Sequence, residues 1–385
     1  MKKTLKITSI VVIAIFLLIV VPLGVGYIQS LQNRLSVSYT TLPSFSKVYS
    51  LAIVSDREIL VGGVKFLGNN SSPEGIVALY SLTNKSCTVL QSVSNYFRGG
   101  YIYALGYNGS DVLIGGSTRI GGYLHTSLVE YNLGTNTLVN LSYILSPFYS
   151  LGQVFSIDWT GSYWLVGGSA YIIGLNGHSC LIPFLIEVNI HGHKDLSPSL
   201  PLAMRILGGS DEIYTISTLG SRSIVGGANT INMTATLFNG TNFTLVKFNY
   251  YHFGVILTST WWKNTALIGG ENQTQPNTPV PYLAEISGAD AIPIQLKYQI
   301  GVVSALASTP GDVYVALKVP FNTNNGIAYG AVILETSNLK SFTSVFSKPF
   351  VTIEQMSPYG GGVLGVGYEQ NSSGEYVGYM IILST

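Results

Sequence analysis

Five copies of a short apolar run closed by a glycine pair constrain this chain more than any other feature. They read ILVGG ending at Gly63, VLIGG at Gly116, WLVGG at Gly168, SIVGG at Gly227 and ALIGG at Gly270. Two looser copies, VYVAL ending at Leu317 and VLGVG ending at Gly367, extend the series to seven. The interval ranges from 43 residues (Gly227 to Gly270) to 59 (Gly168 to Gly227). A repeat near this length marks an array of like supersecondary units that bury their faces against one another. A further Ile120-Gly121-Gly122 falls out of phase with the series.

Each unit carries the same parts. An apolar run and a turn precede the glycines, as in YIYALGYNGSD before VLIGG; a third run, a Gly/Asn turn and a fourth run follow, as in SLVEYNL, GTN and TLVNLS. Four short strands joined by such turns make one antiparallel blade. Stacked blades bury their middle strands on both sides, so those strands should be continuously apolar, as ILV, VLI, WLV and ALI are. Glycines ending such a strand would permit a sharp exit. After Arg34 no segment has a helical period. We therefore expect an all-β, seven-bladed β-propeller of four-stranded antiparallel blades over residues 35–385. The last repeat runs out at Thr385 without a fourth strand, while LSVSYTTL (35–42) stands unassigned, so 35–42 is expected to close the last blade and remove its open edge.

The glycine pair followed by SLVEYNLGTNTLVNLS, with Tyr131 before the turn, resembles kelch-type propeller repeats, best in repeats one and two. Leu138 and Val89 stand where such repeats usually carry a Trp. Kelch-like propellers include binding proteins and enzymes, so the resemblance implies a fold and no single function.

Charge excludes some functions. Charged residues make up 10% of the chain, with 19 Lys and Arg against 18 Asp and Glu. A nucleic-acid binder needs a dense basic surface, so no nucleic-acid partner is expected. Two cysteines rule out a disulfide framework. Cys87 and Cys180 fall on outer strands two blades apart and should remain separate thiols.

The amino terminus indicates a compartment. Residues 7–28 lack charge and match a bilayer core in length, with Lys2, Lys3 and Lys6 before them. We expect a cytoplasmic tip (1–6), a membrane-spanning signal anchor (7–28), a linker (29–34) and an extracellular propeller on a single-pass cell-membrane protein. A signal peptide cleaved near Gly24-Val25-Gly26 is the alternative. Ten Asn-x-Ser/Thr sequons suit export: Asn69, Asn70, Asn84, Asn108, Asn140, Asn232, Asn239, Asn242, Asn272 and Asn371. The same residues also serve turns.

Candidate sites follow from placement on this frame. Trp159, Trp261 and Trp262 fall in turns after innermost strands, where rings stack on sugars or dock a partner. Asp158 and Glu354 lie on innermost strands, and Glu271 and Glu369 follow glycine pairs at the channel mouth; these four are the candidate catalytic carboxylates. His125, His178 and His252 fall in loops of one face and resemble, in residue type, the copper site of galactose-oxidase-like propellers. That site also needs a cysteine beside a tyrosine ligand, for which neither cysteine is placed. His191-Gly192-His193-Lys194-Asp195 reads as a polar hairpin tip. No metal or cofactor is expected. Gly360 to Gly365 matches GxGxxG but runs into a strand, where dinucleotide binding needs a helix. The expected function is a non-catalytic surface module that binds an envelope protein or glycan; the alternative is an extracellular glycan-acting hydrolase or lyase.

Overall fold

Apolar runs that cannot be half-solvated pair into sheets and stack. In the computed structural model, which describes residues 36–384 apart from 68–71, 146–147, 174–178, 190, 206–210, 231, 249–252, 276–277 and 325, they form seven antiparallel sheets. Blade one is typical: Lys47–Ile53, Glu58–Phe66, Pro73–Ser81 and Ser86–Val89 pair in sequence order from the centre outward. The seven innermost strands neighbour one another in cyclic order and return from blade seven to blade one. This is a seven-bladed β-propeller. Blade five carries an additional two-residue strand, Lys247–Phe248, parallel to its outermost strand.

Two-sided burial is visible in the second strands. Ile59, Leu60 and Val61 are fully buried, as are Val112, Leu113 and Ile114. Each such side chain stabilises the fold by roughly 1.5–3 kcal/mol on leaving water. Ser36–Leu42 pairs along its whole length with the third strand of blade seven, Tyr376–Ser384, and so lies as that blade's fourth strand. Residues 1–35, including the expected anchor 7–28, lie outside the described residues. Among the described residues no helix is long and apolar enough to cross a membrane.

The glycine pairs lie elsewhere than expected. They do not end the second strand; Gly62 and Gly63 sit in the middle of Glu58–Phe66, and the strand continues to a hairpin. Opposite every pair the innermost strand carries a β-bulge. Val48 faces Gly63 and Ser50 faces Gly62, leaving Tyr49 as the extra residue. The same shift recurs in all seven blades. The two glycines have different jobs. A Cβ on Gly63 would overlap the Lys47 carbonyl oxygen at the bulge, while one on Gly62 would press to 2.9 Å from Ile102 of blade two. One glycine admits the bulge and the other admits the next blade. The out-of-phase Gly121-Gly122 forms the turn between the second and third strands of blade two, at φ +59° and +90°. Gly360-Gly361 similarly forms the first hairpin turn of blade seven.

Antiparallel pairing gives the ring two distinct faces. First-to-second and third-to-fourth hairpins share one, here the turn face. Second-to-third hairpins and the blade-to-blade connections share the other, the connection face. Bridges Glu74–Arg98, His125–Leu151 and Asn232–Phe253 stitch connections to neighbouring blades there. One connection contains a helix, Gln91–Tyr96, too short for a sequence period and held by buried Val93. The adjoining Phe97 is also buried.

Candidate functional site: the central channel and its connection-face mouth

The bulges determine what lines the channel. Their extra residues are Tyr49, Tyr103, Phe155, Tyr214, Leu257, Ser304 and Glu354, all half-buried. All except Ser304 line a central cavity of about 510 Å³. Four successive blades thus present an aromatic arc. Centroids lie 5.2 Å apart for Tyr49–Tyr103, 5.5 Å for Tyr103–Phe155 and 5.1 Å for Phe155–Tyr214, within the range of favourable ring packing. Glu354 of blade seven closes the ring beside Tyr49. No spacing motif indicated this arc; aligning the first strands on YSLA, YALG, FSID and YTIS would have exposed it.

Beside the arc, polar side chains bond the free edge of the neighbouring innermost strand. Gln355 Oε1 accepts from the Leu51 N–H at 2.7 Å, Ser156 Oγ from Ile216 at 2.8 Å, and Thr258 Oγ1 from Leu306 at 3.0 Å. An unpaired buried N–H would be costly, so these bonds hold the ring shut. Asp158 belongs to this lacing. Its carboxylate accepts from the Thr218 N–H at 2.6 Å and its own strand's Trp159 N–H at 2.9 Å. Burial nevertheless pushes the carboxyl up to about 6, against the hydrogen bonds from Thr218 and Trp159.

Glu354 is placed differently. Burial raises its pKa, opposed by the charges of Lys318 and Lys47 and a hydrogen bond with Tyr368. Burial also lowers the pKa of Lys47, whose ammonium lies 4.6 Å from the Tyr368 ring centroid and 4.3 Å from that of Tyr376. Tyr368 is pushed up to about 12, chiefly by burial. The sequence pointed to Glu354 but not to its lysines, which stand singly in strands, as in VYVALKVPF.

The other candidates disperse. Glu369 is not at the channel mouth; it reaches Lys348 on blade six's outermost strand, 2.9 Å away. Glu271 accepts from Gln273 Nε2 at 2.8 Å and does not line the channel cavity. The tryptophans end strands rather than occupying turns. Trp159 packs 4.7 Å from Trp164, Trp262 is buried, and Trp261 donates its indole N–H to the Ser217 carbonyl at 3.0 Å. Their rings fill gaps between blades at the turn-face end. His125 is half-buried at a bridge to Leu151, while His178 and His252 lie outside the described residues. His191 and His193 flank a hairpin turn, and Asp195 is occupied by the Tyr149 hydroxyl and the Ser197 N–H. Among the described residues no three metal-ligating side chains converge. Both cysteines are free.

Several sequon asparagines also build turns. Asn239 accepts from Thr241 and Asn242 N–H groups, and Asn371 accepts from Ser373 and Glu375. Asn108 does the same for Ser110 and Asp111, and Asn140 accepts from Ser142. Asn84 and Asn242 are exposed, and Asn232 and Asn272 are half-buried; Asn69 and Asn70 lie outside the described residues.

No family model matches the chain, and no curated protein matches it. Solved structures do match in fold. The propeller domain of the Trilobed protease from Pyrococcus furiosus superposes with a TM-score of 0.53 at 9% identity, over 89% of this chain and 94% of that one. YCF48 bound to a D1 peptide gives 0.52 at 10% identity, over 92% and 96%. An acylaminoacyl peptidase from Pyrococcus horikoshii gives 0.54 at 8% identity over 88% of this chain, which spans only 52% of that enzyme. At these identities the likeness is one of fold.

Proposed function

We propose that this protein is an exported, membrane-anchored recognition propeller, a divergent relative of kelch-type propellers, that engages an envelope protein or glycan through its connection face without catalysing a reaction. The observation that carries this reading is the distribution of exposed apolar side chains. Phe66, Ile120, Tyr123, Tyr171, Ile327 and Tyr376 stand at second-to-third hairpins in five different blades, with exposures from 37% to 74%. Leu219 is the one exposed large apolar residue at a first-to-second hairpin among the described residues. Large apolar side chains crowded on one face are typical of a contact surface. The neighbouring YCF48 propeller is bound to a peptide, which is consistent with such a role. The uncharged stretch 7–28 and the sequons support the exported, anchored and glycosylated setting.

The test is a crosslinking capture of the full-length protein from its native envelope, beside the same capture with Tyr123→Ser and Tyr171→Ser together. A stoichiometric partner lost in the double variant is the expected result. Recovery of the bait alone, or a capture indifferent to both changes, overturns the reading.

A hydrolase or lyase is the second reading, favoured by Glu354, a carboxyl with raised pKa that lines the channel. Its companion candidates Asp158, Glu271 and Glu369 are each committed to other partners. Loss of a detected turnover in Glu354→Gln with the fold intact would promote it.

A further inference from the structure

A second cavity, of about 370 Å³, opens between blades six and seven on the connection face. Lys318, Ile327, Tyr329, Phe350, Tyr368 and Tyr376 are among its lining residues. Its walls are mainly aromatic and aliphatic, yet its charges do not balance. Lys318 lines it directly, and Lys47 lies against the rings of Tyr368 and Tyr376. The carboxylate whose charge acts on both lysines is Glu354, which itself faces the central channel. Neither lysine has a direct ion pair: among the described residues the one pair closer than 4 Å is Lys348–Glu369. Two ammonium groups therefore share one carboxylate beside a hollow walled largely by aromatic rings.

The rim is built under strain. Phe350 has φ +64° and is 40% exposed in this cavity. Counting back from the bulge, blade two carries Gly99 at the same place, at φ +77°. A bulky residue held in the left-handed region is an outlier that persists where surrounding structure enforces it. Here the Phe350 N–H donates to Tyr329 at 2.9 Å and its carbonyl accepts from Gln370 at 2.8 Å, so both backbone groups are fixed.

We propose that this cavity binds a ring-shaped monocarboxylate, with the carboxylate between Lys47 and Lys318 and the ring against Phe350, Tyr368 and Tyr376. An anion would supply the missing negative charge through charge-assisted hydrogen bonds, and the aromatic walls would pack on a ring. An aryl carboxylic acid and the uronic acid of a glycan share this chemistry. The inference deepens the recognition reading by naming the chemical group recognised. Its test uses small probes and different residues, so either idea can fail alone.

Benzoate and glucuronate, with benzyl alcohol and glucose as their neutral counterparts, are titrated against the purified full-length protein by ligand-observed NMR. At least one acid should bind saturably, about tenfold or more tighter than its neutral counterpart. Binding of benzoate alone assigns an aryl acid, and of glucuronate alone a sugar acid. Lys318→Met should weaken binding about tenfold, while Lys348→Met, outside the cavity, should not. Phe350→Gly tolerates the backbone conformation and removes the ring, so it should weaken binding without lowering the melting temperature. Saturable binding by neither acid, equal binding of the neutral counterparts, or indifference to both Lys318→Met and Phe350→Gly in folded protein overturns the proposal.

Discussion

Gly63 lies opposite Val48 at the one place in its strand where a Cβ would overlap the Lys47 carbonyl oxygen. Gly116 stands in the same relation to Tyr101, Gly168 to Gln153, Gly227 to Glu212, Gly270 to Val255 and Gly367 to Thr352. In six blades a glycine makes room for the bulge, whereas blade six keeps the bulge with Leu317 in that place; in every blade but that one the extra residue faces the central cavity.

Gly227→Ala should therefore destabilise the protein by about 3 kcal/mol or more, because rigid backbone has to move to admit the methyl group. Gly311→Ala, at a turn with no atom within 4 Å of the new Cβ and no positive φ, should be neutral or stabilising by up to about 0.5 kcal/mol. Urea denaturation of the two variants compares them directly. Equal losses would remove the bulge from the explanation.

Leu42 is 1% exposed, in the strand that completes blade seven. Leu42→Ala should cost about 2–4 kcal/mol through lost burial and the cavity left behind. Thr41→Ala, one residue away and exposed, should cost less than about 0.5 kcal/mol. Thermal melts of both would check whether this closing strand is held mainly by its buried side chain.

Burial pushes Asp158 from an ordinary 3.8 up to about 6. The folded protein thus holds this proton more tightly than the unfolded chain does. The group's contribution to stability is largest below pH 3.8, falls as pH rises toward about 6, and is lost above it. Glu130, Glu212 and Glu354 are raised by burial as well, so several carboxyls share the slope. Asp158→Asn cannot titrate and should flatten the slope by of order 1 kcal/mol, a figure reduced for access of channel water. Stability curves at pH 4 and pH 7 for both proteins measure it, and an unchanged difference would refute the assignment.

Trp261 gives its indole N–H to Ser217 of the preceding blade and carries the Arg222 guanidinium over its ring at 4.9 Å. Trp261→Phe should lose about 1 kcal/mol of stability and leave partner capture unchanged. A variant that keeps its melting temperature but loses capture would return this residue to the recognition surface.

The fold was legible because its strongest constraint is local and repeated. Runs such as VLIGG carry their two-sided burial in their composition, and seven such runs count the blades. The place of the glycines in the strand was not legible, since a hairpin following directly and a strand running on to Ile120 look alike when the intervening residues are the polar Ser117, Thr118 and Arg119. The site was harder still. Tyr49, Tyr103, Phe155 and Tyr214 are about fifty residues apart and meet only when the ring closes. Lys47, Lys318 and Glu354 come from three blades, and no spacing in the chain announces them. The tryptophans attracted attention as large rings near turns, yet a ring at a strand end can pack in the wedge between diverging blades, with Trp262 buried and Trp159 and Trp261 half-buried.

The pairing of Ser36 with Ser384 also imposes an order of events. On a ribosome, the strand Ser36–Leu42 emerges before its partner Tyr376–Ser384 has been made, and most of its side chains face solvent even in the finished ring. Until Tyr376–Ser384 has emerged, the first strand is an unpaired β edge with nothing of its own to bond. A nascent ring is thus open to wrong partners throughout its synthesis, and its final stitch joins the earliest residues of the ring to the latest.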